Sequence, residues 1–265
     1  IPEHGDFFLF EFAQESIIIT RTKTGEINAL LNVCRHRGSH ICLEKKGNTK
    51  AFVCPYHAWS YNLDGTLVAA RNMEDDFDKS THGMLRVHVE LVGGLIFISL
   101  AEKPLSTKNM RTELKDTFEL FGFDKMKLIK QNTYPIKANW KLAVENYQEC
   151  YHCTPSHREY SQIHALALSP AKLAQHTEEY LKNKSNPIRT EECDFYWDLA
   201  EEGQECYQFS RDPLLPGKLS GTRDGKPAVS RLLGNITEHD GGSSDFMLGP
   251  LSFFLIYNDH MVGYR

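Results

Sequence analysis

Two short cysteine–histidine motifs constrain the fold of this chain more than any other feature. The first is Cys34-Arg-His36, and the second, Cys54-Pro-Tyr-His57, begins after seventeen further residues. Each motif follows a β-prone run and starts where turn-forming residues end that run. The sequence therefore predicts two loops at the ends of two strands, and such loops can hold one metal centre between them.

The four ligand-type side chains match a Rieske [2Fe–2S] centre. In such a centre two thiolates bind one iron and two imidazoles bind the other. The pattern assigns Cys34 and Cys54 to one iron, and His36 and His57 to the other. Neutral imidazoles raise the reduction potential above that of an all-cysteine cluster. This interpretation predicts a protein that transfers electrons.

Two other interpretations of these motifs are open. A zinc site with two Cys and two His uses the same ligands, but zinc motifs usually group like ligands, as C-x2-4-C and H-x3-5-H. Here each loop supplies one Cys and one His. Alternatively, the cysteines are small buried residues and the histidines are polar loop residues. The mirrored pairing favours the cluster over both alternatives.

The residues around the motifs fit an iron–sulfur cluster. Arg35 and Arg37 place positive charge near an anionic cluster, and Gly38 permits close approach of the backbone. Backbone N–H groups directed at sulfur tune the potential of such clusters. Tyr56 and Trp59 are expected to shield the cluster from water, although ordinary core packing explains them equally well.

A second set of candidate ligands follows a predicted helix over residues 140–151. It reads Glu149-Cys-Tyr-His152, with His157 just beyond Pro155. Residues at i and i+3 share a helix face, so Glu149 and His152 are expected to lie together. Two histidines and a distant carboxylate form the facial triad of non-haem Fe(II) oxygenases. The alternative is that one histidine caps the helix and the other is a solvated loop residue.

Cys150 and Cys153 flank His152 as a C-x2-C pair. Such a pair can bind zinc or be redox-active. No second ligand pair of matching type follows, so buried packing is the favoured interpretation. Together with three other cysteines they are expected to be reduced cytosolic thiols, which predicts a cytoplasmic protein. The full set outside the cluster motifs is Cys42, Cys150, Cys153, Cys193 and Cys206.

Composition excludes several classes of protein. The chain has 265 residues, a net charge of −5 and 25% charged residues, so we expect no nucleic-acid partner. No apolar run approaches the ~20 residues that a membrane span needs, and we expect no membrane association. The chain lacks an initial Met and ends within or just after an apolar run, and we therefore expect it to be a fragment.

Periodicity divides the chain near Pro104. Before it, short β-prone runs alternate with turn residues and predict an all-β segment. After it, the spacing predicts helices over residues 107–121, 140–151 and 170–182, and a strand over residues 128–136. Residues 183–250 are predicted to be mostly loop with a few strands. The β-prone runs before residue 104 are residues 7–10, 16–20, 27–33, 67–69, 86–92 and 95–100.

The two motifs together resemble the catalytic alpha subunit of Rieske non-haem iron oxygenases, the aromatic-ring-hydroxylating dioxygenase family. The resemblance covers nearly the whole chain, with Ala58 standing where the family usually has Gly. It implies an α+β protein, in which an all-β Rieske [2Fe-2S] domain (residues 1–103) precedes an α+β helix-grip (START-like) catalytic domain (residues 104–265). The catalytic domain is expected to be incomplete at its C-terminus.

The resemblance also implies roles for the second motif. His152 and His157 would bind a mononuclear Fe(II), and Glu149 would be the bridging carboxylate that links this iron site to His57 of a neighbouring subunit in a homotrimer. Relatives use a distant Asp as the third ligand, which is expected beyond residue 265. Asp259 is a weak candidate for that ligand, because its position in the family is on a strand of the substrate domain.

The implied activity is oxygenation of a small organic substrate by O2, giving hydroxylation or demethylation. Electrons would come from an external NAD(P)H-dependent reductase or ferredoxin. Glu149, where most relatives have Asp, is similar to the branch acting on quaternary ammonium compounds such as betaine, choline and carnitine. An aromatic substrate is the alternative, because both kinds of substrate need aromatic side chains around them. The candidates are Phe195, Tyr196, Trp197, Phe253, Phe254 and Tyr257.

Two other classes of protein compete with the oxygenase. A Rieske-type electron carrier would need only the first ~100 residues, and the second motif argues against it. A zinc-binding structural protein would use the same Cys and His side chains without redox chemistry.

Overall fold

The computed structural model describes residues 1–184, 188, 205–249 and 251–264. The chain forms two compact units. The first consists of Ile1–Val92 with Ile96–Pro104, and the second of Gly93–Leu95 with Leu105–Arg265. The first is an all-β unit and the second is α+β, which confirms the predicted fold class.

The first unit contains two sheets. A six-stranded sheet has the order β4-β1-β2-β3-β8-β9, and a three-stranded sheet has the order β5-β6-β7. All the predicted runs are confirmed as strands, with ends within about two residues of the prediction. The strands are β1 (Asp6–Phe12), β2 (Glu15–Arg21), β3 (Ile27–Leu31), β4 (Lys46–Asn48), β5 (Phe52–Val53), β6 (Ser60–Tyr61), β7 (Leu67–Ala69), β8 (Arg86–Val92) and β9 (Leu95–Ser99), with a 3-10 helix at Lys79–His82.

Alternation along β2 separates two buried clusters on the faces of the larger sheet. Ile17 and Ile19 pack into one cluster, whereas Ile18, between them, packs on the other face. This is the period of two that a strand imposes on its side chains. The cluster on the Ile18 face also contains Cys34 and Cys54, so packing brings the two cysteines into one core.

Among its described residues, the second unit contains six helices and a four-stranded antiparallel sheet of order β10-β11-β12-β13. Two further 3-10 helices lie at Phe123–Lys125 and Ala165–Ala167. The helices are α1 (Lys108–Glu113), α2 (Lys115–Phe121), α3 (Trp140–Gln148), α4 (Cys153–Ser156), α5 (Arg158–Ser161) and α6 (Pro170–Asn183); the strands are β10 (Tyr207–Pro213), β11 (Gly242–Leu248), β12 (Ser252–Ile256) and β13 (Met261–Tyr264).

The two faces of this sheet have different neighbours. On one face, Met247 and Phe253 pack against Val144 of α3. On the same face Leu255 of β12 belongs to a cluster with Ile163 that follows α5. We call this surface the α3 face. The opposite face carries Phe246, whose ring lies 5.3 Å from that of a phenylalanine in α2.

Three helix and strand predictions for the second unit have different outcomes. The helix over residues 170–182 is confirmed as α6, and that over residues 107–121 is confirmed as α1 and α2 with a break at Leu114. The strand over residues 128–136 is wrong. Its apolar side chains are exposed, for example Ile129 at 90%, and no described strand pairs with it. A strand needs such a partner for its backbone N–H and C=O groups.

Candidate metal centres

The two cysteine–histidine loops are closed by the same pair of backbone hydrogen bonds. In the first loop Cys34 N–H donates to the carbonyl of Ser39, and Gly38 N–H donates to the carbonyl of Cys34. In the second loop Cys54 N–H donates to the carbonyl of Trp59, and Ala58 N–H donates to the carbonyl of Cys54. The spacings are identical, so one loop conformation occurs twice.

This conformation requires a left-handed residue four positions after each cysteine. Gly38 adopts φ +72° there, and Ala58 adopts φ +58° at the corresponding position. A side chain disfavours such a backbone, and Gly adopts it without steric cost. The loop geometry therefore gives the physical reason why Gly is usual at the position of Ala58. Ala in place of Gly costs some stability but removes no ligand.

The side chains of the four predicted cluster ligands are arranged as a two-iron centre would need. Cys34 and Cys54 are free thiols and are 3% and 2% exposed. The rings of His36 and His57 lie 4.5 Å apart, edge to face. Nδ1 of His36 is buried and has no hydrogen-bond partner among the described residues. Since buried polar atoms are normally paired, this orphaned nitrogen fits an iron ligand.

The surroundings of His36 favour its neutral form. Burial, together with His57 and Arg37, lowers the pKa of His36. The neutral imidazole is the form that binds metals. Its ring stacks on Trp59 at 4.9 Å with an interplanar angle of 8°. Trp59 is 2% exposed and covers the site as predicted. Tyr56 is 63% exposed, and its ring lies 3.8 Å from that of His57.

Tyr61 is a further residue of this site that sequence reasoning missed. Its hydroxyl accepts a hydrogen bond from Arg35 N–H at 3.2 Å and lies 3.4 Å from Sγ of Cys34. Burial raises the pKa of Tyr61, so the group stays a hydroxyl. Because Arg35 N–H occupies an acceptor position of the oxygen, the hydroxyl hydrogen is available to the cysteine sulfur.

The second motif lies at the end of α3. The helix ends at Gln148, and Glu149 adopts an extended backbone, φ −105° and ψ 136°. The prediction that Glu149 and His152 share a helix face is therefore wrong. They are nevertheless together, because a turn brings Oε1 of Glu149 to 2.5 Å from Nδ1 of His152. The other carboxylate oxygen accepts the N–H of Tyr151 at 2.7 Å and that of His152 at 3.3 Å.

This arrangement leaves Nε2 of His152, and the ring nitrogens of His157, for a metal. The rings of His152 and His157 are 5.1 Å apart with an interplanar angle of 78°. A metal-binding histidine commonly donates its other ring N–H to a carboxylate, and Glu149 holds Nδ1 of His152 in that way. The bond to His152 also lowers the pKa of Glu149, so the carboxylate is ionised near neutral pH.

Nowhere among the described residues do three or more His, Cys, Asp and Glu side chains meet where a single ion could be held. A Rieske cluster places only two protein ligands on each iron. The pair His152 and His157 likewise provides two ligands of a facial triad and lacks its carboxylate. Asp259 does not complete it, since its carboxylate accepts hydrogen bonds from Ser220, Ala228 N–H and His260.

The cysteine predictions have mixed outcomes. Cys42 and Cys206 are free. Cys150 and Cys153 form a disulfide, with Cα atoms 4.9 Å apart, so the prediction of reduced thiols is wrong for these two. The chain leaves α3 at Gln148, and the turn that follows brings Cys150 close to Cys153, the first residue of α4. Cys193 and the candidate aromatic residues Phe195, Tyr196 and Trp197 lie outside the described residues.

The remaining candidate aromatic residues lie on β12 and directly after it. Phe253 and Tyr257 are on the α3 face, and Phe254 is on the opposite face, where its ring stacks on Phe246 at 5.6 Å. In the described part of the chain, no helix is long and apolar enough to cross a membrane.

Comparisons with known protein families cover both units. Residues 1–88 match the Rieske [2Fe-2S] domain, and residues 123–265 match the catalytic domain of the ring hydroxylating alpha subunit. The glycine betaine monooxygenase oxygenase subunit of Chromohalobacter salexigens is 34% identical over 275 residues, which cover 100% of this chain and 60% of that relative. The carnitine monooxygenase oxygenase subunit of Escherichia coli (strain K12) is 37% identical over 162 residues, which cover 59% of this chain and 43% of that relative.

Solved structures show the same fold. The quaternary ammonium Rieske monooxygenase CntA in complex with L-carnitine superimposes with a TM-score of 0.65 at 23% identity, covering 100% of this chain and 61% of that chain. Naphthalene 1,2-dioxygenase from Rhodococcus sp. superimposes with a TM-score of 0.62 at 24% identity, covering 97% of this chain and 57% of that chain. The chain thus spans about 60% of the length of the relatives that it matches throughout.

Proposed function

The chain belongs to the ring-hydroxylating alpha-subunit family and begins with a Rieske [2Fe-2S] domain, and from this we propose that it is the oxygenase component of a Rieske oxygenase system. Electrons would come from an external NAD(P)H-dependent reductase or ferredoxin, and O2 would oxidise a small organic substrate by hydroxylation or demethylation. We also propose a cytoplasmic location, which the free thiols of Cys42 and Cys206 favour and the disulfide between Cys150 and Cys153 does not.

One observation carries this proposal: the chain contains two separate and different ligand sets. The first is the pair of congruent loops with Cys34, Cys54 and the orphaned Nδ1 of His36. The second is the adjacent pair His152 and His157. An electron carrier needs the first set alone, and a structural zinc site needs neither two loops of mixed ligands nor a second histidine pair.

The two ligand sets imply different bound groups. A Rieske cluster supplies one-electron transfer, and a mononuclear Fe(II) with open positions supplies O2 activation. We propose that Cys34 and Cys54 hold one iron of the cluster and that His36 and His57 hold the other.

We propose further that His152 and His157 hold the mononuclear Fe(II). Glu149 orients His152 through Nδ1. An Asp beyond residue 265 would complete the triad. In domain terms, residues 1–103 would form the Rieske domain and residues 104–265 part of the catalytic domain.

Transfer of electrons between subunits of a homotrimer would fit the exposure of two residues. His57 is exposed, and the side chain of Glu149 is 49% exposed while it holds His152. Tyr151, beside Glu149, is 95% exposed, which is unusual for a large aromatic side chain. We propose that Glu149 links His152 of its own chain to His57 of a neighbouring subunit.

For the substrate we propose a quaternary ammonium compound. Two relatives are named for glycine betaine and carnitine, and Glu149 resembles the residue of the quaternary ammonium branch at this position. An aromatic substrate is the competing proposal, since naphthalene 1,2-dioxygenase shares the fold. The two differ in charge, which makes them separable by experiment.

Metal content and substrate-dependent O2 uptake test the proposal on the whole protein. We expect about three irons and two acid-labile sulfides per subunit, with the rhombic EPR signal of a Rieske cluster after reduction. With a suitable reductase, glycine betaine, choline or carnitine should stimulate O2 uptake and naphthalene should not.

Other outcomes identify the competing classes. Zinc in a colourless protein would identify a structural zinc protein. Two irons with a normal Rieske signal would identify an electron carrier. Stimulation by naphthalene alone would keep the oxygenase and overturn the substrate class.

A further inference from the structure

Asp245 is a carboxylate on the α3 face whose role the proposed metal centres do not explain. It lies on β11, between β10 and β12, with Ser210 and Leu255 as its cross-strand neighbours. Oδ1 of Asp245 accepts a hydrogen bond from the hydroxyl of Tyr147 at 3.3 Å. Tyr147 belongs to α3, the helix that leads directly into Glu149 and His152.

Asp245 differs from two other acidic residues in the same unit. Asp240 forms an ion pair with Arg211, and both side chains are 0% exposed. Asp259 is paired with His260 and accepts two further hydrogen bonds. Within the described residues no Lys, Arg or His forms an ion pair with Asp245. An acidic group removed from water without a countercharge costs free energy, so such groups are functional candidates.

Aromatic rings lie next to Tyr147, the residue that donates to this carboxylate. The ring of Tyr147 lies 4.5 Å from that of Phe253 and 5.4 Å from that of Tyr264. Tyr160 of α5 and Tyr257, which follows β12, pack in one cluster with Leu255, the cross-strand neighbour of Asp245. Burial raises the pKa of each of the four tyrosines, and the negative charge of Asp245 raises it further.

The cluster connects to both halves of the proposed iron site. Tyr147 is two residues before Glu149, and Tyr160 is one helical turn after His157. A group bound between the tyrosines would therefore be held by the same two helical segments that position the histidines.

The chemistry of the cluster selects one kind of cation. A divalent metal ion would need three or more acidic or histidine ligands, and none of the described residues supply them here. An ammonium or guanidinium group would need several hydrogen-bond acceptors. A quaternary ammonium group donates no classical hydrogen bonds and is held by a nearby negative charge and by the faces of aromatic rings.

We propose that Asp245, with Tyr147, Tyr160, Tyr257 and Tyr264, forms the binding site for the quaternary ammonium group of the substrate. The proposal rests on the proposed function. It names Asp245 as the side chain that offsets the positive charge of the substrate. Burial and the neighbouring Asp212 raise the pKa of Asp245 to about 6, so the carboxylate is mostly ionised at pH 7 and can offset a bound cation.

Calorimetric binding to the whole, oxidised protein tests this proposal without turnover. The probes are glycine betaine and choline, each compared with its carbon isostere, in which a tert-butyl group replaces the trimethylammonium group. The variants are Asp245→Asn, Tyr264→Leu and Tyr264→Phe, with Asp116→Asn as the control because Asp116 is an exposed acid in α2. Iron content and the EPR signal of each preparation verify the fold and the metal centres.

Of glycine betaine and choline, we expect wild-type protein to bind one at least about tenfold more tightly than its carbon isostere. A desolvated cation–π site with a carboxylate allows such a difference. Asp245→Asn should lose about tenfold in affinity for the cation and less than about twofold for the isostere. Tyr264→Leu should weaken cation binding, whereas Tyr264→Phe and Asp116→Asn should not.

Three results would overturn the proposal: equal affinity of Asp245→Asn and wild type for the cation, equal affinity of wild type for cation and isostere, or no cation binding at all. None of them bears on the oxygenase itself, which is judged separately by three irons and reductant-dependent O2 uptake in the same preparations.

Discussion

The carboxylate of Glu149 binds Nδ1 of His152 at 2.5 Å within one chain. The same carboxylate also accepts the N–H groups of the turn that carries His152. Glu149 therefore fixes both the ring and the backbone of a proposed iron ligand, while half of its side chain is still exposed. A carboxylate in this position can orient one histidine and contact a second one in a neighbouring subunit.

Glu149→Gln should reduce substrate-coupled O2 uptake at least about tenfold, as losses of such supporting contacts do. The amide keeps the size of the side chain but loses the negative charge that holds the histidine N–H. EPR of the reduced protein should show an unchanged Rieske signal, because the substitution is remote in sequence from the cluster loops. Normal turnover of this variant would refute both the relay and the orienting role.

His157→Ala should lower the iron content from about three to about two per subunit and leave the Rieske EPR signal intact. The matched control is His4→Ala, since His4 is exposed and has no proposed ligand role. Metal analysis with sulfide determination distinguishes the outcomes. A loss of all iron from His157→Ala would show that His157 supports the whole fold instead of one metal site.

Cys34→Ala should abolish the visible absorption of the cluster, whereas Cys42→Ala should retain it. Both cysteines are buried in the same core, at 3% and 8% exposure, so the comparison removes equal side chains from similar surroundings. Only Cys34 belongs to a loop whose partner loop presents a second cysteine. Bleaching by both substitutions would mean that core packing, and not ligation, is being measured.

Tyr61→Phe should lower the reduction potential of the cluster by about 40 mV. The hydroxyl lies 3.4 Å from Sγ of Cys34, and a hydrogen bond of about 1 kcal/mol that favours the more negative, reduced cluster corresponds to this value at about 59 mV per tenfold. Redox titration monitored by EPR gives the potential. An unchanged potential would show that the hydroxyl serves only Arg35 N–H.

Asp245→Asn should stabilise the protein at pH 8 by about 1–3 kcal/mol, from a shift of about two pKa units. The folded protein raises the pKa of Asp245 to about 6 from its usual 3.8, so ionisation destabilises the fold above about pH 6. The difference should shrink as the pH falls from 6 towards 4. The groups facing Asp245 are Asp212, Tyr147, Tyr160, Tyr257 and Tyr264.

Thermal unfolding of both proteins across this pH range measures the effect. The tyrosines stay protonated throughout because their pKa values are raised, which leaves Asp245 as the group whose raised pKa lies in this range. A difference in midpoint that stays constant with pH would contradict the assigned shift.

Local patterns made the first unit predictable from its sequence. Its strands are short runs of β-prone residues that end at turn residues, so both cysteine motifs are correctly predicted to lie in loops after strands. Contacts between distant residues carry no such signal. Tyr61 meets Cys34 across 27 positions and Tyr147 meets Asp245 across 98, and neither pair is visible until the strands are aligned.

The end of α3 shows a competition that periodicity does not reveal. Its apolar spacing predicts a helix to Tyr151, but the carboxylate of Glu149 accepts the N–H groups of Tyr151 and His152. Side chains that bind nearby backbone in this way offer an alternative to helical hydrogen bonds. The chain leaves the helix at Gln148, and the resulting turn joins Cys150 to Cys153.

The congruent hydrogen bonding of the two cysteine–histidine loops bears on how the protein acquires its cluster. Each loop is closed by two bonds within itself, and neither bond depends on iron. Backbone bonds of this kind would hold both loops in shape before iron is bound, whereas small zinc domains are unfolded without their metal. A preassembled cluster could then be delivered whole to a finished protein, and the same protein could lose and regain it without unfolding.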